Sequence, residues 1–212
     1  MSTSTVRWKF WWRWVLATTI GVCLGFFLGF FSSLLAINSP LSGISGFWGG
    51  ALGGLCVGIA QKLVLRKKVS AKWILATTFG FSMGCGIGGL ILVITSNAIM
   101  SPILGIVSGI ISLSFAQALV MKWPREKTLN WLIATTIGVI VGAGIGSLAC
   151  ILAAVTAEKI FIGGLETLIP ILFSATVAGS MVSGFIYGGI TGLFLIKLLP
   201  NRQAMGVDTE SL

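Results

Sequence analysis

The chain has 212 residues, 56% of them hydrophobic and 9% charged, with a mean hydropathy of +1.03 and a formal net charge of +9. Soluble domains carry about 25% charged residues, so this composition excludes both an ordinary soluble domain and a disordered chain. The chain has no histidine, which removes the commonest metal ligand and the usual general base.

Six segments are apolar and long enough to cross a membrane, whose hydrocarbon core of about 30 Å needs about 20 residues of helix. The alternating segments of about ten residues that mark an outer-membrane barrel do not occur. The sequence therefore predicts an all-α, integral membrane bundle of six transmembrane helices. In chain order the predicted spans are 14–37, 43–65, 73–95, 103–121, 131–155 and 171–199.

Basic residues predict the orientation of these spans. Thirteen of the 14 Lys and Arg residues fall on one side of the predicted bundle, and only Lys159 falls on the other. The positive-inside rule then places both termini in the cytoplasm, for a plasma membrane or the equivalent face of a thylakoid. Residues 1–13 are predicted as a basic and aromatic interfacial segment, and 200–212 as a cytoplasmic tail. Orientation accounts for the net charge, so the lipid bilayer is the predicted partner and nucleic acid is not.

One sequence motif occurs three times. Trp14-Val-Leu-Ala-Thr-Thr-Ile-Gly21 matches the segments that start at Trp73 and Trp131. The partner segments repeat more weakly, as Gly58-Ile-Ala-Gln-Lys-Leu-Val-Leu-Arg66 and its counterpart ending at Lys122. These matches predict three helical hairpins of the same orientation, 14–66, 73–122 and 131–199, arranged either as a ring or in a line.

Small residues recur at every fourth position of the predicted helices, so they share one face of each helix. Such columns allow two backbones to approach closely, and lipid offers no hydrophobic drive to replace that packing. We expect helix contacts at these glycines, with pore lining as the alternative. The positions are Gly21, Gly25, Gly29, Gly50, Gly54, Gly80, Gly84, Gly88, Gly138, Gly142, Gly146, Gly184 and Gly188.

Two glutamines lie inside the predicted spans. Gln61 and Gln117 each lie five residues before the basic residue that ends their segment, at the depth of the repeated Thr-Thr pairs. An unpaired amide in hydrocarbon is costly, so Gln61 is expected to hydrogen-bond near Thr18 or Thr19. Gln117 is expected to do the same near Thr77 or Thr78. The alternative is that this layer coordinates a ligand or ion.

The third hairpin lacks that glutamine. In a degraded third copy of the segment that starts at Gly58, Gly189-Ile-Thr-Gly-Leu-Phe-Leu-Ile-Lys197, Gly192 stands at its position, beside Thr135 and Thr136. We therefore expect the polar layer to be incomplete there, and these three residues are the predicted location of any small cavity or bound ligand.

The remaining chemistry is sparse. The five acidic residues lie in predicted loops or in the tail, so a carboxylate pair inside the membrane is excluded. The four cysteines form no CxxC motif and are interpreted as small apolar residues. No cofactor and no metal site is predicted, although the architecture allows a bound pigment or lipid. The loop 156–170 is interpreted either as a short interfacial helix or as a partner-binding element.

The repeated Trp-x-Leu-Ala-Thr-Thr-x-Gly, with Ala-Gln-x-Leu-Val-Leu-Arg closing the first hairpin, resembles a group of cyanobacterial-type multi-pass membrane proteins that have no assigned activity. The resemblance extends from Trp14 to about Lys197, and the third hairpin departs from it at Ile133 and Gly192. It implies a plasma or thylakoid membrane and brings no catalytic residue.

The function expected from the sequence is therefore non-enzymatic. The first hypothesis is a scaffold, assembly or accessory role in a membrane, with other membrane proteins as partners. The alternative is a channel or facilitator for a small neutral solute, or a carrier of an apolar ligand such as a pigment or lipid.

Overall fold

A computed structural model describes residues 3–36, 45–66, 69–96, 100–160 and 168–199, and this part of the chain is helical apart from short connections. Each of its six helices is long and apolar enough to cross a membrane. The helices are α1 (Thr3–Ala36), α2 (Ser45–Leu65), α3 (Lys72–Thr95), α4 (Met100–Met121), α5 (Arg125–Ile160) and α6 (Leu168–Leu198).

The helices are apolar on their outer as well as their inner faces. Large aliphatic side chains such as Leu63, Leu75 and Ile94 are at least two-thirds exposed. A helix that is hydrophobic all round is typical of a protein core or of a membrane span. Because these side chains have no protein neighbours to cover them, the outer surface of the bundle matches a hydrocarbon environment.

The helix ends follow from local backbone chemistry. Arg66 and Lys122, at equivalent positions after α2 and α4, both adopt a positive φ, at 49° and 51°. After α4 this left-handed turn lets the Trp123 N–H donate to the Ala118 carbonyl at 3.1 Å, which satisfies a carbonyl of the last turn. Within the described helices, proline occurs only in the first turn of α4 and α6, where a missing N–H costs nothing.

Each helix packs antiparallel to its neighbours in the chain, and α6 packs against α1. The described helices therefore form a closed ring, which decides between the ring and the linear arrangement. The antiparallel order places the starts of α1, α3 and α5 and the ends of α2, α4 and α6 at one end of the bundle. We call this the tryptophan end, after Trp14, Trp73 and Trp131. At this end the Lys127 side chain of α5 donates to the Leu198 carbonyl at the end of α6, at 3.2 Å, and so joins the two helices.

Two helices extend well beyond the predicted spans. The predicted interfacial segment 1–13 lies largely within α1, which begins at Thr3, and α5 starts before Trp131 and continues to Ile160. Hydropathy detects only the apolar part of a helix, whereas adding polar turns to a helix that has already formed costs little. The predicted loop 156–170 is shorter than expected, because 156–160 continue α5 and 168–170 begin α6. The residues between them, 161–167, and the predicted tail 200–212 lie outside the described residues.

Candidate functional site

The centre of the bundle at the tryptophan end is filled by three indole rings. Trp14, Trp73 and Trp131 come from α1, α3 and α5, and each is 0% exposed. The ring centroids of Trp14 and Trp73 are 6.4 Å apart, and those of Trp73 and Trp131 are 6.5 Å apart. These three side chains form what we call the tryptophan layer. Edge-to-face and tilted contacts of this kind add to the stabilisation that burial of the rings supplies.

Gln61 of α2 joins this layer to two helices. Its Oε1 accepts a hydrogen bond from Trp73 Nε1 at 3.2 Å. Its Nε2 donates to Thr18 Oγ1 of α1 at 3.4 Å, which confirms the predicted partner. Both ends of the buried amide are therefore satisfied, one by each neighbouring helix.

Gln117 of α4 makes the same pair of contacts one hairpin further on. Trp131 Nε1 donates to its Oε1 at 3.1 Å, and its Nε2 donates to Thr77 Oγ1 at 2.9 Å. The second of these confirms the predicted partner of Gln117. The Thr77 hydroxyl in turn donates to the Trp73 carbonyl at 2.9 Å, so the threonine is oriented by its own helix.

In α6 two residues share the role of the glutamine. Thr191 Oγ1 accepts from Trp14 Nε1 at 3.2 Å, and the Tyr187 hydroxyl hydrogen-bonds the Thr135 side chain. The packing explains the register: Gly188 lies against Val15 and Thr18 as Gly58 lies against Ile74 and Thr77. Thr191, and not Gly192, is thus the structural counterpart of Gln61.

The gap expected beside Gly192 is not there, so that expectation was wrong. A Cβ added at Gly192 would lie 2.8 Å from Trp14 Cδ1 and 3.0 Å from Trp11 Cδ1, because the two indoles fill this space. Trp11 is held there by a 3.0 Å hydrogen bond from its Nε1 to the Gly189 carbonyl. Thr135 and Thr136 donate to the carbonyls of Trp131 and Leu132, one turn earlier.

Sequence reasoning missed Tyr187 and Thr191. Tyr187 is the only tyrosine of the chain, and Thr191 follows it by one helical turn. A lone phenol and a hydroxyl on one face of an apolar helix were the available signal. The sequence alignment matched Gly189 with Gly58, whereas the packing matches Gly188 with Gly58. This shift of one residue concealed the equivalence of Thr191 and Gln61.

The predicted glycines lie where helices approach each other. For every one of them, an atom of a neighbouring helix lies within 4 Å of the position that a Cβ would occupy. That position is 2.8 Å from Gly53 Cα for Gly25, and 2.8 Å from Gly109 Cα for Gly84. Between α6 and α1, the corresponding distance from Gly184 to Thr19 Cα is 2.9 Å. A side chain at such positions would force the helices apart.

A central cavity of about 570 Å³ occupies the other half of the bundle. It is lined by residues of α1, α2, α3, α5 and α6, starting eight residues beyond Trp14 at Val22. That offset is about 12 Å along the helix axis. The lining is mainly glycine together with apolar side chains such as Phe26, Val57 and Phe81. Four of the predicted glycines, Gly25, Gly29, Gly50 and Gly146, line the cavity as well as touching a neighbouring helix.

Two serines of the cavity wall donate their hydroxyls to the backbone. Ser180 Oγ donates to the Val177 carbonyl and Ser183 Oγ to the Gly142 carbonyl, both at 2.9 Å. Within the described ranges no group of three His, Cys, Asp or Glu residues could hold a metal ion. The cavity is therefore suited to an apolar occupant.

The site and fold together define a six-helix bundle of membrane-spanning length, closed by a tryptophan layer at one end and hollow in its other half. Comparison of the chain with protein families, with curated proteins and with solved structures finds no match.

Proposed function

We propose that this protein is a non-enzymatic, multi-pass membrane protein with a scaffold, assembly or accessory role in a plasma or thylakoid membrane. In this proposal it consists of three hairpin repeats of one orientation, with both termini on the cytoplasmic side. The tryptophan layer and its hydrogen bonds are the observation that carries the proposal, because they tie all six helices into one rigid unit.

The proposal of three repeats is supported by equivalent contacts. Gln61 bridges α1 and α3, and Gln117 bridges α3 and α5. Thr191 and Tyr187 bridge α1 and α5 from α6. Each even-numbered helix thus joins the two odd-numbered helices beside it, which is the pattern expected of three copies around a central axis.

A structural role is favoured over conduction by the filling of the central axis. A channel for a neutral solute needs a continuous polar path, whereas three fully buried indoles occupy the axis at the tryptophan end. The two glutamine side chains at this level are paired with Thr18, with Thr77 and with the indoles. Glycine-mediated packing between neighbouring helices supports the same rigid unit.

Insertion and orientation are tested by cysteine accessibility. In a variant without the four native cysteines, Pro40→Cys and Lys68→Cys should react with an impermeant maleimide from opposite sides of the membrane. The reason is the separation of basic residues to one end of an antiparallel bundle. Labelling of both positions from the same side would contradict the proposed topology, and a chain released from membranes by alkaline carbonate would contradict insertion itself.

Conduction is tested in proteoliposomes. The wild-type protein should leave the rates of glycerol and urea entry at the values of protein-free vesicles, because the tryptophan layer leaves no polar path. Stopped-flow light scattering measures these rates, with a glycerol facilitator reconstituted at the same protein-to-lipid ratio as the positive control. Solute entry that rises with the amount of protein would show a facilitator and overturn the structural role.

A further inference from the structure

We infer that the central cavity binds one acyl chain of a bilayer glycerolipid, which enters sideways between α4 and α5. This inference rests on the proposed membrane insertion. It adds a ligand-binding site to a protein otherwise interpreted as structural.

The dimensions of the cavity fit a single acyl chain. Along α2 the lining runs from Gly46 to Val57, a distance of about 17 Å at 1.5 Å per residue. A hydrocarbon core of about 30 Å gives each leaflet half of that depth, so the cavity matches the depth that one acyl chain occupies. Its volume of about 570 Å³ lies within the range of about 300–1,000 Å³ found for small-molecule sites.

The chemistry of the wall also favours a hydrocarbon chain. The residues that line the cavity carry no charge, and its serines at 180 and 183 use their hydroxyls on backbone carbonyls. Protein interiors are close-packed, and an apolar cavity of this kind stays dry and accepts an apolar guest. In a bilayer the apolar guest at highest concentration is the acyl chain itself.

The cavity is open where α4 faces α5. Although α4 belongs to the ring, none of its residues lines the cavity. The side-chain hydrogen bond between α4 and α5 runs from Trp131 to Gln117, at the tryptophan end. The segment after α4 contacts α5 at that same end, through the Trp123 ring on Trp131 and the backbone of Trp123 and Pro124 on Thr128. The seam between α4 and α5 is also the least extensive of the six helix interfaces.

Glycine contacts show the same asymmetry. The glycines of α4 lie against α3, and Gly138, Gly142 and Gly146 of α5 lie against α6. Gly144, on another face of α5, has no atom within 4 Å of its Cβ position. Three cavity-lining residues are exposed, and two of them, Cys85 of α3 and Ser147 of α5, belong to the helices on either side of α4. These observations place a lateral opening along this seam, facing lipid.

The test uses nanodiscs of phosphatidylcholine that contain a small fraction of phosphatidylcholine with a diazirine in one acyl chain. After illumination, mass spectrometry of the wild-type protein should find adducts on cavity-lining peptides, notably those that contain Gly50, Val57 or Phe81. Ser147→Phe should lower this labelling about tenfold, because the ring occupies the opening. Ala143→Phe, one turn nearer the tryptophan layer in the same wall, should give a similar loss.

Leu148→Phe is the matched control, because it adds a phenyl ring at the next residue, which is 55% exposed and outside the cavity wall. It should leave the labelling at the wild-type level. Equal labelling in wild type, Ser147→Phe and Ala143→Phe would overturn the inference, and so would an equal loss in Leu148→Phe. Visible absorbance of the purified protein would identify a pigment as the occupant and also overturn it. A protein that passes the topology test but shows no adducts in the cavity refutes the lipid site alone, whereas failure of membrane insertion refutes the proposed function.

Discussion

Trp73→Ala should lower the free energy of unfolding by about 3–5 kcal/mol, the usual cost of truncating a large buried aromatic side chain. Trp73 is the middle member of the tryptophan layer, is 0% exposed, and touches both Trp14 and Trp131. Its removal leaves a void at the centre of the ring and takes the indole donor from Gln61. The polar and the packing contributions are therefore lost together.

Reversible unfolding by SDS in mixed detergent micelles measures this effect. Trp12→Ala is the matched control, because Trp12 is 48% exposed and its truncation should change the free energy of unfolding by less than about 1 kcal/mol. Trp73→Phe keeps an aromatic ring but lacks the donor, so its loss should fall between the two. If Trp73→Ala proved no more destabilising than Trp12→Ala, the tryptophan layer would not hold the ring together.

Gly84→Leu should lower the free energy of unfolding by about 1–3 kcal/mol or more, the range for forcing extra methylenes into a packed contact. A Cβ at this position would lie 2.8 Å from Gly109 Cα and 3.1 Å from the Gly105 carbonyl oxygen of α4. Because these neighbours are backbone atoms, no side chain can turn away, and α3 and α4 must separate. Gly142→Leu should behave in the same way, since its Cβ would lie 3.0 Å from the Ser183 carbonyl oxygen of α6.

Gly144→Leu provides the control for both variants. It introduces the same side chain into a helix of the same bundle, at a glycine with open space around its Cβ position. Thermal unfolding in mild detergent should show a lower midpoint for Gly84→Leu and Gly142→Leu and an unchanged one for Gly144→Leu. Equal midpoints in all three would mean that the close glycine contacts contribute little to stability.

The two halves of the bundle differ in how they are held together. At the tryptophan end, large rings and paired amides fill the centre, so the helices are joined through side chains. In the other half the helices meet backbone to backbone at glycines, and glycines make up much of the wall around the axis. A cavity in that half is the direct consequence, because a glycine has no side chain that could extend into the centre of the ring.

Several features could be predicted from the sequence because they depend on local properties. The six helices follow from the length and apolarity of six segments, which hydropathy measures directly. The partners of Gln61 and Gln117 follow from depth: in an antiparallel hairpin, residues equally far from the same end lie side by side, and buried amides need partners. The regular spacing of the glycines is likewise visible in the sequence, although the partner of each one is not.

The tertiary structure decided the rest, because it depends on contacts between residues far apart in the chain. Ring closure requires α6 to meet α1, which no local pattern encodes. The third hairpin shows the limit most clearly, because Thr191 and Tyr187 together make the contacts that one glutamine makes in the other hairpins. Trp11 fills the space beside Gly192, and it bonds to Gly189, which is 178 residues away in the chain. Sequence alignment compares residue identities, whereas packing selects any set of side chains that fills the volume and pairs the polar atoms. The cavity and its open seam arise in the same way, from how closely particular helices approach, and only the folded arrangement determines that distance.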